Sequence, residues 1–169
     1  GSGKSTLLNV LNGTYPPSSG EIKINGIGLY QSPELLEGVI GFVPQDDLLI
    51  EELSVFENLY YNGKLCFGNY DEDKLVDLVN KVLVSIGLFE AKDLKVGNPL
   101  SKTISGGQRK RLNIALELIR EPSILFVDEP TSGLSSNDSE IIMDLLKVLA
   151  LKGKLIFVVI HQPSSEIYK

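Results

Sequence analysis

The sequence predicts an α/β fold, a parallel sheet covered by helices with a helical lobe inserted into it. Three observations carry this expectation. Short apolar strands alternate with amphipathic helices at both ends of the chain. The stretch between about residues 50 and 120 is mostly helical in pattern. Two of the strands lead directly into Asp128-Glu129 and His161, and open parallel sheets bind ligands at the carboxyl ends of their strands. At 169 residues the chain suits one domain with a modest lobe. The expected division is an α/β core of residues 1–47 and 121–169 and a helical subdomain of residues 48–120.

The elements follow in order. Gly3 to Asn12 reads as a helix with Leu7, Leu8 and Leu11 on one side, stopped by Gly13 and then Pro16-Pro17. Glu21 to Ile24 alternates polar and apolar residues, and Asn25-Gly26 after it is a hairpin signal. Val39 to Val43 is a short apolar strand ending at Pro44. Ser54-Val-Phe-Glu57 has the form of a capping box and opens a helix towards Cys66. Leu75, Leu78, Val79, Val82, Leu83 and Ile86 recur at helical spacing, with Gly87 as the stop. Ser105-Gly-Gly-Gln108 repeats the capping-box form before a helix to about Arg120. Ile124 to Val127 is a continuous apolar strand, Asn137-Asp-Ser-Glu140 caps a helix ending near Gly153, and Leu155 to Ile160 is the last strand.

Composition narrows the function. With 16 Lys+Arg against 22 Asp+Glu the net charge is −6, which argues against general nucleic-acid binding. The longest apolar run is the six residues Leu155 to Ile160, too short to cross a membrane. The single cysteine, Cys66, excludes an internal disulfide and a cysteine-built zinc site. The first residue is not Met but part of the motif GSGKST, so sequence upstream is expected.

That motif, Gly1-Ser2-Gly3-Lys4-Ser5-Thr6, matches the last part of a phosphate-binding loop, G-x-x-x-x-G-K-[ST]. A glycine-lined turn lets successive backbone N–H groups face a phosphate chain, and the helix N-terminus beneath favours an anion. Lys4 would reach the β- and γ-phosphates, and the Ser5 hydroxyl would join the shell of Mg²⁺. At the end of the apolar strand, Asp128 can hold the water shell of Mg²⁺, while Glu129 orients and deprotonates an attacking water. Two desolvated carboxylates are costly without a cation, so the pair points to an NTPase. Ser105-Gly106-Gly107-Gln108 opens a second helix N-terminus, hence a second anion-binding surface. One nucleotide does not need two such surfaces within one chain. Two chains packed head to tail would use both.

These residues together resemble a known family. Ile104-Ser105-Gly106-Gly107-Gln108 is similar to the signature motif of ATP-binding-cassette ATPases, and it precedes Asp128 by the family's spacing of 23 residues. Gln45, in Phe42-Val-Pro-Gln-Asp-Asp47, resembles the Q-loop glutamine, and His161 the switch histidine. Val43-Pro-Gln-Asp-Asp47, Leu53-Ser-Val-Phe-Glu57, Gln108-Arg-Lys-Arg111 and His161-Gln-Pro-Ser164 are similar to the G (White/eye-pigment) subfamily and its bacterial relatives. The resemblance implies a P-loop NTPase core of the RecA-like kind, with ATP and Mg²⁺ as ligands. It places Lys4, Ser5, Gln45 and Asp128 on the γ-phosphate and metal, makes Glu129 the general base, and has His161 hold the hydrolytic geometry. Ser105 and Gly107 would act in trans on the nucleotide of a second copy.

Two departures stand out. Ser135, in Ser132-Gly-Leu-Ser135, occupies a D-loop position where relatives usually carry Asp. The family's adenine-stacking aromatic lies upstream of residue 1, and neither Tyr15 nor Tyr30 replaces it by position. Arg109-Lys110-Arg111 reads as a solvated face or as anion help near the signature, because consecutive helical residues point in different directions and cannot make one patch. The implied function is ATP-driven export of lipid or hydrophobic compounds at the cytoplasmic face of a membrane, with a second nucleotide-binding domain and a fused or separate transmembrane domain as partners. Leu53, Val55, Phe56, Leu59, Tyr60 and Tyr61 are the expected docking surface. The alternative is a soluble ATPase of the same fold in translation or DNA repair.

Overall fold

The computed structural model describes residues 3–98 and 103–160. Its sheet is parallel and three-stranded in the order β3 (Ile40–Val43), β4 (Ile124–Asp128), β5 (Leu155–Val159). The register sets Val43 beside Val127 and Asp128 beside Val159, so the strands finish level with one another. β4 lies in the middle and buries Leu125, Phe126 and Val127. An isolated antiparallel hairpin, β1 (Lys23–Ile24) and β2 (Ile27–Gly28), stands apart from this sheet. Its two-residue turn places Asn25 at φ 49° and Gly26 at φ 84°. Both central residues are left-handed, which is the twist that matches a tight hairpin and the reason for Asn-Gly there.

The helices are α1 (Lys4–Leu11), α2 (Val55–Cys66), α3 (Glu72–Ser85), α4 (Gly106–Leu118) and α5 (Ser136–Leu151), with 3-10 turns at Pro33–Leu36 and Phe89–Ala91. Both expected capping boxes form. Ser54 Oγ accepts from the Glu57 N–H at 3.1 Å while the Glu57 carboxylate accepts from the Ser54 N–H at 2.7 Å. Ser105 and Gln108 repeat the exchange at 3.1 and 2.7 Å. Each box satisfies two backbone donors that a helix start would otherwise leave open.

One cluster of buried side chains runs from the sheet through the helices. Val43, Leu125 and Val127 meet Ile142 and Leu146 of α5 and Leu112, Ile114 and Ile119 of the α4 region, and these continue into Leu59, Leu75 and Leu83. α2 comes close to its neighbours at Gly63, where a Cβ would sit 2.8 Å from Leu75 and 3.0 Å from Ile119. The other face of the sheet carries Phe126 and Phe157, directly paired and stacked with centroids 4.8 Å apart. A cavity of about 650 Å³ borders that face, lined by Leu11, Ile24, Ile124, Phe126, Leu155 and Phe157 among others. It lies towards the strand starts and holds none of the candidate catalytic residues.

Three expectations are corrected. α5 is capped by Ser135, not by the Asn137 to Glu140 run, because Ser135 Oγ accepts from the Asp138 N–H at 3.1 Å. Val55 and Leu59 are fully buried and Tyr60 nearly so, which withdraws them from the expected docking surface; α2 turns them into the core. Arg109 and Lys110 are buried, at 7% and 8% exposure, instead of forming a solvated face. Their side chains do diverge, but each finds buried oxygen partners, described below.

Candidate functional site

Gly3 precedes α1 in a left-handed conformation, φ 75°, with open space where a side chain would be. Only glycine enters that conformation at no steric cost. Lys4 is the first helical residue, Ser5 and Thr6 follow, and the first turn carries no acidic residue. The end of α1 therefore presents unopposed N–H dipoles, the arrangement an anion needs. Gly1 and Ser2 of the same loop lie outside the described residues.

Parallel strands bring the remaining candidates to one edge. β4 ends at Asp128, and Glu129 follows with φ 45° and its N–H donating to Val159 O at 2.9 Å. A left-handed glutamate is uncommon, and such backbone strain is held only where neighbours enforce it. Here the ladder to β5 and the buried Pro130 fix it. Gln45 lies two residues beyond Val43, exposed, at the same end of the adjacent strand. β5 ends at Val159 opposite Asp128. His161 falls outside the described residues.

At the start of α4, the Ser105 Oγ accepts one hydrogen bond as the cap and keeps its own proton to donate. Gln108 is committed to the reciprocal bond with the Ser105 N–H. Gly107 is buried against α5, and a Cβ there would stand 2.2 Å from Asp138 Oδ1. Ser135 also donates its hydroxyl to Asp138 Oδ2 at 3.0 Å, so this serine both caps α5 and orients the carboxylate that packs on Gly107.

Sequence reasoning missed the residues that hold the Gln45 loop. Arg109 donates to both carboxylate oxygens of Asp47, at 2.9 and 3.0 Å, and to Gly97 O. Lys110 Nζ donates to Pro44 O at 3.1 Å and Gln45 O at 3.0 Å. Asn113 accepts from the Leu48 N–H at 3.3 Å. Burial pushes the Lys110 ammonium below the ordinary lysine range, opposed by the nearby carboxylates of Asp128, Asp47, Asp46 and Glu129. Arg111 is unrelated to this loop: it donates to Ile86 O and Gly87 O at the end of α3. The only sequence signal for the first three was an α4 polar on more than one side, which a solvated helix also shows.

Among the described residues no group of three or more His, Cys, Asp or Glu could hold a metal by itself. The expected Mg²⁺ donors, Ser5, Gln45 and Asp128, offer a hydroxyl, an amide and a carboxylate. All are hard oxygen donors of the kind that share Mg²⁺ with substrate phosphates, so the set fits such an ion.

Comparison with known proteins shows the family. A family model described as ABC transporter matches residues 1–132. The ABC-type transporter claG of Penicillium crustosum is 40% identical over 169 residues, covering 99% of this chain and 22% of the relative. ABC transporter G family member 28 of Arabidopsis thaliana is 40% identical over 172 residues, covering 100% and 15%. The broad substrate specificity ATP-binding cassette transporter ABCG2 of Bos taurus is 39% identical over 175 residues, covering 100% and 26%. The chain thus spans between 15% and 26% of the length of these relatives. No helix among the described residues is long and apolar enough to cross a membrane. With a family model matched over residues 1–132, the chain is an ATP-binding domain that belongs to the ABC transporter family.

Proposed function

We propose that the chain is the ATP-hydrolysing motor of a membrane exporter for lipid or hydrophobic compounds. The observation that carries this reading is the carboxyl edge of the sheet, where Asp128, the strained Glu129 and Gln45 share one end of adjacent parallel strands. The names of its relatives, transporters of the ABC and G families, support the transport half.

In this reading Lys4 and the N–H groups of α1 hold the phosphate chain. Ser5, Gln45 and Asp128 would hold Mg²⁺, which when bound would neutralise charge on the phosphates. Glu129 takes the proton of the attacking water, with its carboxylate aimed by the left-handed backbone at residue 129. His161 contacts the γ-phosphate. Ser105, with its hydroxyl proton still available, and the N–H groups of Gly106 and Gly107 close over the nucleotide of a second copy packed head to tail. Closure of that dimer drives a transmembrane domain, fused or separate, from the cytoplasmic face. Nucleic acid has no part in the cycle.

The test is the full-length protein reconstituted in liposomes, with ATP hydrolysis and transport measured together. Glu129→Gln is expected to keep ATP binding, lose turnover by at least about a hundredfold and accumulate an ATP-bridged dimer. Unchanged hydrolysis in that variant removes Glu129 from the role of base. Hydrolysis by the wild type without any lipid or hydrophobic compound moved would refute the transport half.

A further inference from the structure

We propose that Lys110 is a positioning residue for ATP hydrolysis: from the signature helix it grips the backbone of the Gln45 loop and fixes where the Gln45 side chain points. The inference rests on the reading of Gln45 as a ligand of the nucleotide and its metal.

The loop from Pro44 to Leu48 has no regular structure, so its polar backbone groups must find partners elsewhere. Three residues of α4 supply them. Arg109, Lys110 and Asn113 lie at positions i, i+1 and i+4, and all three are at least nine-tenths buried. Lys110 bonds the carbonyls of two consecutive residues, Pro44 and Gln45. Arg109 takes both oxygens of Asp47, and Asn113 takes the Leu48 N–H. The grip on the loop is therefore spread over residues 44, 45, 47 and 48, with the exposed Gln45 side chain as its free product.

A lysine is an unusual choice for this purpose. Its ammonium is a strongly hydrated charge that is costly to bury, and two carbonyls do not neutralise it. Part of its compensation comes from charge: the carboxylates of Asp128, Asp47, Asp46 and Glu129 raise the pKa that burial lowers. A cation there also opposes the mutual repulsion of those acids before nucleotide arrives. The donor sits on α4, four residues beyond Gly106, so the Gln45 loop is tied to the helix whose start is the signature.

The experiment uses the reconstituted full-length protein, with kcat, affinity for a non-hydrolysable ATP analogue, and melting temperature measured for Lys110→Met, Lys110→Gln and Arg111→Met. Lys110→Met is expected to lower kcat by at least about tenfold with analogue affinity within about twofold of wild type, since a misplacement of a fraction of an ångström costs part of the roughly hundredfold that a full ångström does. Lys110→Gln, with one donor kept, is expected to lose about threefold or more in kcat while melting close to wild type. Arg111→Met removes a buried-side cation that caps α3, and is expected to lower melting without lowering kcat below the melting range. Wild-type kcat in Lys110→Met or Lys110→Gln overturns the proposal, as does an equal kcat loss in Arg111→Met. An active wild type with such variants overturns this inference alone. An inactive wild type overturns the functional reading and this inference with it.

Discussion

Gly107→Ala is the sharpest test of how α4 meets α5. A Cβ built at Gly107 stands 2.2 Å from Asp138 Oδ1, 2.5 Å from its Cγ and 2.9 Å from its Cβ. Ordinary contact lies near about 3.5 Å, so the two helix starts must separate by about an ångström. Rotating the Asp138 side chain does not suffice, because its own Cβ is one of the three atoms too close. It would also break the 3.0 Å bond from Ser135. Overpacking of this kind costs about 1–3 kcal/mol. Alanine returns less than about 1 kcal/mol of helix propensity so near the helix start. The net loss is about 1–2 kcal/mol, or about 3–6 °C in melting for a domain of this size. A shift of about an ångström at the signature also predicts about a hundredfold loss of turnover. Thermal unfolding and ATPase assays of the full-length protein read both effects, and Gly107→Ala should cost less in an Asp138→Gly background than in the wild type. A single variant that melts at or above wild type would refute the close approach.

Two further expectations concern stability alone. Ser54→Ala removes a capping box whose two bonds measure 3.1 and 2.7 Å, and should cost about 1 kcal/mol, read as a lower denaturant midpoint with an unchanged slope. Glu117 is half-buried beneath β3, and burial raises its carboxyl above the ordinary glutamate range against the pull of Arg120 and the Phe42 N–H. The folded state therefore favours the protonated form, so this residue's contribution is greatest below the unfolded pKa and is lost as pH rises through the folded one. Glu117→Gln keeps an acceptor for Phe42 and should remove that dependence. The variant's stability advantage over wild type should be larger at pH 7 than at pH 4, and an equal difference at both would exclude Glu117 as the titrating group.

What the sequence disclosed follows from how far apart the deciding partners are. The two capping boxes span four residues each, and Asn25-Gly26 dictates its own turn, so these features are local and legible. The α5 cap was not, since Ser135, Asn137 and Asp138 are all competent caps and only the course of the chain before them chooses. Val55 and Leu59 show the same limit on α2: periodicity marks an apolar face without saying whether that face meets the protein's own core or a partner. Glu129 hides a left-handed backbone because no glycine announces it.

The Arg109-Lys110-Arg111 run fails for a deeper reason. Asp47, the partner of Arg109, is 62 residues away, but it is at least a carboxylate that a charge argument might have paired with an arginine. Lys110 and Arg111 are held mainly by main-chain carbonyls of Pro44, Gln45, Ile86 and Gly87. Every residue carries a carbonyl, so no composition or spacing singles out these four. A cation satisfied by backbone leaves no trace in its partner's identity, which frees the partner to be chosen for other work. At position 45 that freedom leaves the backbone held by Lys110 and the glutamine side chain turned outward, at the end of the sheet where the acids stand.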